Sequence, residues 1–266
     1  MAKKNILIII LTALVFLSAV TLGVATTYRI DDVCVRPITV SDEAQDEAQT
    51  LQARLKEAYA GQSTFFVDDT QVKEILADFP YFRLTGVECA YPNLLVVNVT
   101  EDAEVYAAAL DGGNYRIFNA DGVALGERGD YLNRADGAEK QAENILLSGT
   151  KSGGAAMTAD EIYQKFFPFC KTLDTLLDGE IRRNVTKIEL FEPTSQPSDS
   201  YFRLTMREGV KIYVLFPSVL STEKLNEAVA LYRSLSVAEK MEGRIVVLHN
   251  AQGVATDYNK VDNFDK

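Results

Sequence analysis

Tryptophan is missing from this chain of 266 residues, histidine occurs once and cysteine three times. The single histidine, His249, has no G-x-S-x-G elbow or other triad context to serve, so serine-based nucleophilic catalysis lacks its base. Cys34, Cys89 and Cys170 are too few, and odd in number, for a disulfide scaffold, and no two are spaced as a C-x-x-C zinc pair. They read as partly buried thiols; the alternative, one Cys34–Cys89 bridge, requires neighbouring strands that set the two opposite each other. Gly149 to Ala156 is rich in small residues but lacks the G-x-x-x-x-G-K-[ST] spacing of a phosphate loop, and the acidic stretch from Asp42 lacks calcium-loop spacing. No metal or cofactor is therefore expected.

Basic charge is in deficit: 27 lysines and arginines stand against 38 aspartates and glutamates, a formal net charge of −11. Such a chain repels nucleic acid and anionic lipid headgroups. Its carboxylates are plentiful enough to supply a glycosidase pair, but they are spread over helix faces and turns, where solvation is their ordinary role, so a paired-carboxylate hydrolase is the lesser alternative. Asn98-Val-Thr100 and Asn184-Val-Thr186 match glycosylation acceptors, but both fall in or beside expected strands.

What the chain does contain begins with a run from Ile6 to Ala25 without a charge, preceded by Lys3 and Lys4. That length spans ~30 Å of hydrocarbon as a helix, and the lysines place the N-terminus in the cytoplasm. The run outlasts a signal-peptide core, although Gly23-Val-Ala25 has the small-x-small form of a cleavage site. Residues 1–5 are thus expected as a short cytoplasmic tail and 6–26 as a transmembrane helix.

After a strand from Tyr28 to Thr39, Ser41 or Asp42 offers an N-cap, and Ala44, Ala48, Leu51, Leu55 and Ala58 recur at helical spacing. Thr64-Phe-Phe-Val67 is a short apolar run. A second helix carries Val72, Ile75, Leu76 and Phe79 and ends at Pro80. Two strands follow, Phe82 to Ala90 and Leu94 to Glu101, joined by the Tyr91-Pro92-Asn93 turn. The second, rich in β-branched residues, reads as the central strand of a small α/β module.

From Val105 the pattern is β: Val105–Leu110, Asn114–Asn119 and Gly122–Leu125, with Asp111-Gly-Gly113 and Asp121-Gly122 as turns. A polar loop over Gly126–Gln141 leads to a short strand at Asn144–Leu147. Thr158-Ala-Asp-Glu161 is a capping box opening a helix that Pro168 should kink or split. Strands are expected at Val185–Phe191, Tyr201–Met206 and Lys211–Phe216. A helix capped by Ser221 follows, then strands Arg244–Leu248 and Val254–Tyr258, the last a candidate sheet edge.

The strand-helix-helix-strand-strand order, with Phe65-Phe-Val-Asp68, Phe79-Pro-Tyr-Phe82 and the run Tyr91, Pro92, Asn93, Leu94 or Leu95, Val97, Val99, Glu101, resembles the POTRA domain of the FtsQ/DivIB cell-division family. The block Tyr201–Tyr258, with its Gly-Val-Lys-Ile turn and Ser-Thr-Glu-Lys-Leu helix start, is similar to that family's β domain. Asp102 stands where the family usually has arginine, and Glu104 where it often has proline.

The resemblance implies an α+β chain: a transmembrane helix, a POTRA domain (β-α-α-β-β) over 27–101, a mixed β domain with two helices over 102–258, and a polar tail over 259–266. It implies a non-enzymatic scaffold, single-pass and with its domains outside the cell membrane, at the division septum. There it would bind coiled-coil partners of the DivIC/FtsB and FtsL types and help regulate septal peptidoglycan synthesis. By position it assigns partner binding to Leu248, Asn250, Val254, Thr256 and Tyr258, with Tyr258 as the anchor. Rival expectations are another POTRA-bearing assembly or secretion factor, and an anchored cell-wall hydrolase.

Overall fold

A computed structural model describes residues 2–110, 112–136 and 142–264. Met1, Asp111 of the expected Asp111–Gly113 turn, residues 137–141 of the expected polar loop, and Asp265 and Lys266 of the tail lie outside it. The described chain is a mixed α+β structure of two units, Met1–Asp102 and Ala103–Lys266.

The first unit opens with helix α1 (Ala2–Thr27), long and apolar enough over Ile10–Thr27 to cross a membrane. Arg29 Nε donates to the Ala25 carbonyl at 2.9 Å, placing a cation on the negative end of the helix dipole. Then come β1 (Asp32–Ile38), α2 (Glu43–Tyr59), a 3-10 turn at Thr64–Phe66, α3 (Thr70–Leu76), β2 (Phe82–Ala90) and β3 (Leu94–Glu101). The sheet order is β1-β3-β2, with β1 parallel and β2 antiparallel to β3, so the run Leu94–Glu101 is central, as its β-branched composition led us to expect. Val33, Val35, Leu95, Val97 and Val99 form its core with Ala44, Ala48, Leu51, Leu55 and Tyr59 of α2, spaced by threes and fours.

One local expectation is corrected, and one alternative is excluded while the cysteines stand as the free thiols expected. Asp42 makes no side-chain cap to α2. The Ser41 hydroxyl and the backbone N–H groups of Val40 and Ser41 are instead drawn to the buried Glu101 carboxylate. The Cys34–Cys89 bridge is excluded by topology. Cys34 pairs with Val96 and Cys89 with Leu95, so β3 lies between them and they face opposite sides of the sheet. Two strand spacings, ~10 Å, exceed the reach of a disulfide.

The second unit holds β4 (Glu104–Ala109), β5 (Tyr115–Asn119), β6 (Ala124–Arg128), β7 (Ile145–Thr150), α4 (Ala159–Leu176), α5 (Ile181–Asn184) and β8 (Val185–Phe191). It continues with β9 (Tyr201–Met206), β10 (Lys211–Leu215), α6 (Ser221–Ser234), α7 (Val237–Lys240), β11 (Arg244–Asn250) and β12 (Gly253–Asn259). These strands form one mixed nine-stranded sheet, ordered β12-β11-β10-β9-β8-β7-β4-β5-β6. One face carries Ile188, Leu190, Phe202, Leu204, Ile212, Val214, Ile245 and Val247 and buries them under α4 and α6.

Both arms of the Thr158–Glu161 capping box are present. Pro168 does not split α4, which runs through it for 18 residues. Phe166, Phe169, Cys170 and Leu173 clamp the helix on the sheet, which offsets the one backbone hydrogen bond a proline removes. Ser221 is the first residue of α6 rather than its cap; the cap position is Leu220, in the left-handed region at φ 49° with no side-chain bond. The short helices α5 and α7 were not expected. Gly122 holds φ +83°, and a Cβ there would lie 2.7 Å from the Phe167 ring, so this turn requires glycine twice over.

Candidate functional site: the β12 edge

β12 closes the sheet on one side. Among the described residues it pairs with β11 alone, in antiparallel register from Arg244↔Asn259 to Asn250↔Gly253. A strand in that position offers its outward row of N–H and C=O groups to another chain. Gly243, at φ +87°, lets the chain pass close to β12: a Cβ there would sit 2.3 Å from the Asn259 carbonyl oxygen.

The register sorts the five residues assigned by resemblance. Val254, Thr256 and Tyr258 lie opposite His249, Val247 and Ile245, on the face covered by α6. Leu248 and Asn250, one residue out of that alternation, project from the other face. The five therefore share an edge without forming one patch. Tyr258 is turned inward: its hydroxyl lies 3.2 Å from the Glu239 carbonyl and 3.4 Å from that of Glu242, and its ring packs against the core. Desolvation, reinforced by Glu239 and Glu242, raises its pKa. What remains open to a partner is the backbone row, with Leu248 and Asp257 exposed on the helix-free face.

That helix-free face carries a feature the sequence reading missed. Phe191 stacks on Tyr201 at 4.9 Å, and Phe264 of the tail stacks on Tyr213 at 4.1 Å and meets Tyr201 edge-on. Asp262 bonds Lys211 Nζ at 2.5 Å and accepts from the Tyr213 hydroxyl at 3.1 Å. Burial, with the Asp262 contact, pushes the Tyr213 phenol up to about 12. Burial also works against the Asp262 carboxylate, but Lys211 and Tyr213 outweigh it and hold its pKa below the ordinary value. The tail expected as a polar appendage thus docks through Asp262 and Phe264 on the sheet. A lone aromatic in a polar stretch, Phe264, is the signal that could have revealed it.

A cleft of about 630 Å³ opens between α4 and the start of α6, floored by Phe169, Leu190, Phe202 and Leu225. Its rim lysines are already paired, Lys165 with Glu192 at 2.7 Å and Lys151 with Glu161 at 3.0 Å. His249, exposed on β11, is not among the residues that line it. Lys224 nearby is fully buried; its ammonium donates to the Leu215 and Phe216 carbonyls at 2.7 Å, and burial lowers its pKa. It pins the strand end to the helix. Among the described residues, no three His, Cys, Asp or Glu side chains gather at metal-binding distance.

Scanned against protein-family models the chain matches none, and a search of the curated proteins finds no match.

Proposed function

We propose that this chain is a non-enzymatic, membrane-anchored division scaffold of the FtsQ/DivIB type. In this reading α1 crosses the membrane once with its N-terminus in the cytoplasm, and the two units stand outside it at the septum. The first unit is a POTRA domain, supported by its β-α-α-β-β order with β3 central. The second binds coiled-coil partners of the DivIC/FtsB and FtsL types and so helps regulate septal peptidoglycan synthesis.

The observation that carries the reading is the position of β12 at the margin of a nine-stranded sheet. A partner segment adding there gains main-chain hydrogen bonds without a preformed pocket. The inward setting of Tyr258 moves the expected contact from that side chain to the strand's backbone. Backbone N–H groups alternate in direction along a strand, so one of the neighbours Ala255 and Thr256 points its N–H outward. Ala255→Pro and Thr256→Pro, taken as a pair, should include one variant that folds and loses capture of the coiled-coil partners. Tyr258→Phe should retain capture. Undiminished capture by both proline variants, each folded, counts against the edge.

A further inference from the structure

The chain leaves α1 and passes directly into a cluster of aromatic side chains. Tyr28 follows the last helical residue, Thr27. Arg29 is bridged to Ser63 in antiparallel fashion, and the Thr64 N–H donates to the Tyr28 carbonyl at 3.0 Å. These bonds fix the 3-10 turn at Thr64–Phe66 beside the end of the helix. Phe65 packs on Tyr28 with ring centroids 4.9 Å apart and on Tyr91 at 5.7 Å. The cluster is not closed over: Phe65 is 51% exposed, Tyr91 60% and Phe66 86%.

An apolar patch of this kind needs a cover, and its place on the chain supplies one. Phe65 and Phe66 form one wall of a cleft of about 470 Å³ whose opposite wall includes Val20 and Val24 of α1. Val20 lies seven residues inside the helix end, ~10 Å along the axis. If that wall is in the bilayer, the facing phenylalanines reach the same depth. Tyrosine and phenylalanine are suited to such a boundary, with tyrosine hydroxyls in the headgroup zone and rings toward the acyl chains.

We propose that Tyr28, Phe65, Phe66 and Tyr91 form an aromatic foot. It inserts into the outer headgroup–acyl boundary of the bilayer that α1 crosses, and it holds the first unit upright on the membrane. The proposal rests on α1 being the anchor. Its partner is the lipid interface, reached through apolar contact rather than charge, since the acidic chain is repelled by anionic headgroups.

The absence of tryptophan makes the test clean, because one introduced tryptophan reports alone. Three variants of the full chain, Val15→Trp, Phe66→Trp and Ile38→Trp, are reconstituted in phosphatidylcholine vesicles with plain or brominated acyl chains. Val15 lies within α1, and Ile38 is exposed at the far end of β1, ~20 Å along the strand from Asp32. The expected result is that Val15→Trp and Phe66→Trp lose most of their emission in brominated vesicles while Ile38→Trp keeps its own. Quenching of Val15→Trp without quenching of Phe66→Trp overturns the foot and leaves the anchor standing. Blue-shifted but unquenched Phe66→Trp emission means that protein covers the patch, which also overturns it. An unquenched Val15→Trp removes the anchor and the foot together.

Discussion

Glu104 and Asp102 occupy positions where the family resemblance leads one to expect proline and arginine, and both are structurally engaged. Asp102 meets Arg83 of the adjacent strand at 3.6 Å, so an ion pair is made with the sign at this position reversed. Glu104 is only 2% exposed; it accepts from both Arg128 Nη atoms at 2.9 and 2.7 Å, from Asn144 Nδ2 at 3.0 Å and from the Arg134 N–H at 3.1 Å. Arg128 also reaches the Leu132 carbonyl, so one carboxylate ties β4 to β6 and to the chain that follows β6. Because a buried carboxylate with several charge-assisted bonds is costly to replace, Glu104→Gln should destabilise the second unit by about 2–4 kcal/mol. Arg128 keeps some access to water, which argues for the lower end. Urea unfolding of the detergent-solubilised chain, followed by circular dichroism, checks this.

At the level of elements, α4 is the clearest case of a helix specified by its ends. The Glu161 carboxylate accepts from the Thr158 N–H at 2.8 Å and pairs with Lys151, which holds its pKa at about 2 against an ordinary 4.5. A depressed folded-state pKa means that the ionised cap stabilises fully above pH 4.5, and that this contribution is lost as the pH falls to about 2. The gap in unfolding midpoint between the native chain and Glu161→Gln should therefore be constant above pH 5 and close toward pH 2. A gap independent of pH contradicts the assignment.

The same helix shows how far sequence alone reaches. Its capping box and apolar spacing were legible, whereas the choice between a kinked and a split helix at Pro168 was not, because that depends on how firmly the sheet clamps Phe166 and Phe169. The strands were legible from composition and turns, with bounds displaced by a few residues. Their partners were not: β7 lies between β4 and β8, both parallel to it, an arrangement set by long-range packing. At the candidate site the edge strand could be foreseen. The division of its residues between two faces, and the docking of Asp262 and Phe264, depend on register and return contacts that no local pattern carries.

At the scale of the whole molecule three structural facts come together. An apolar helix long enough to span a bilayer leads into a three-stranded unit, and a nine-stranded sheet has β12 at its margin, paired among the described residues with β11 alone. A division scaffold of the proposed kind requires that the β12 margin accept another chain. Amide hydrogen exchange across Gly253–Asn259, measured in the detergent-solubilised protein with and without DivIC/FtsB- and FtsL-type partners, reads this directly. Addition of the partners should slow exchange at alternate residues of β12, those with outward N–H groups. Partner binding that leaves β12 exchange unchanged, or no binding at all, would contradict the proposed role.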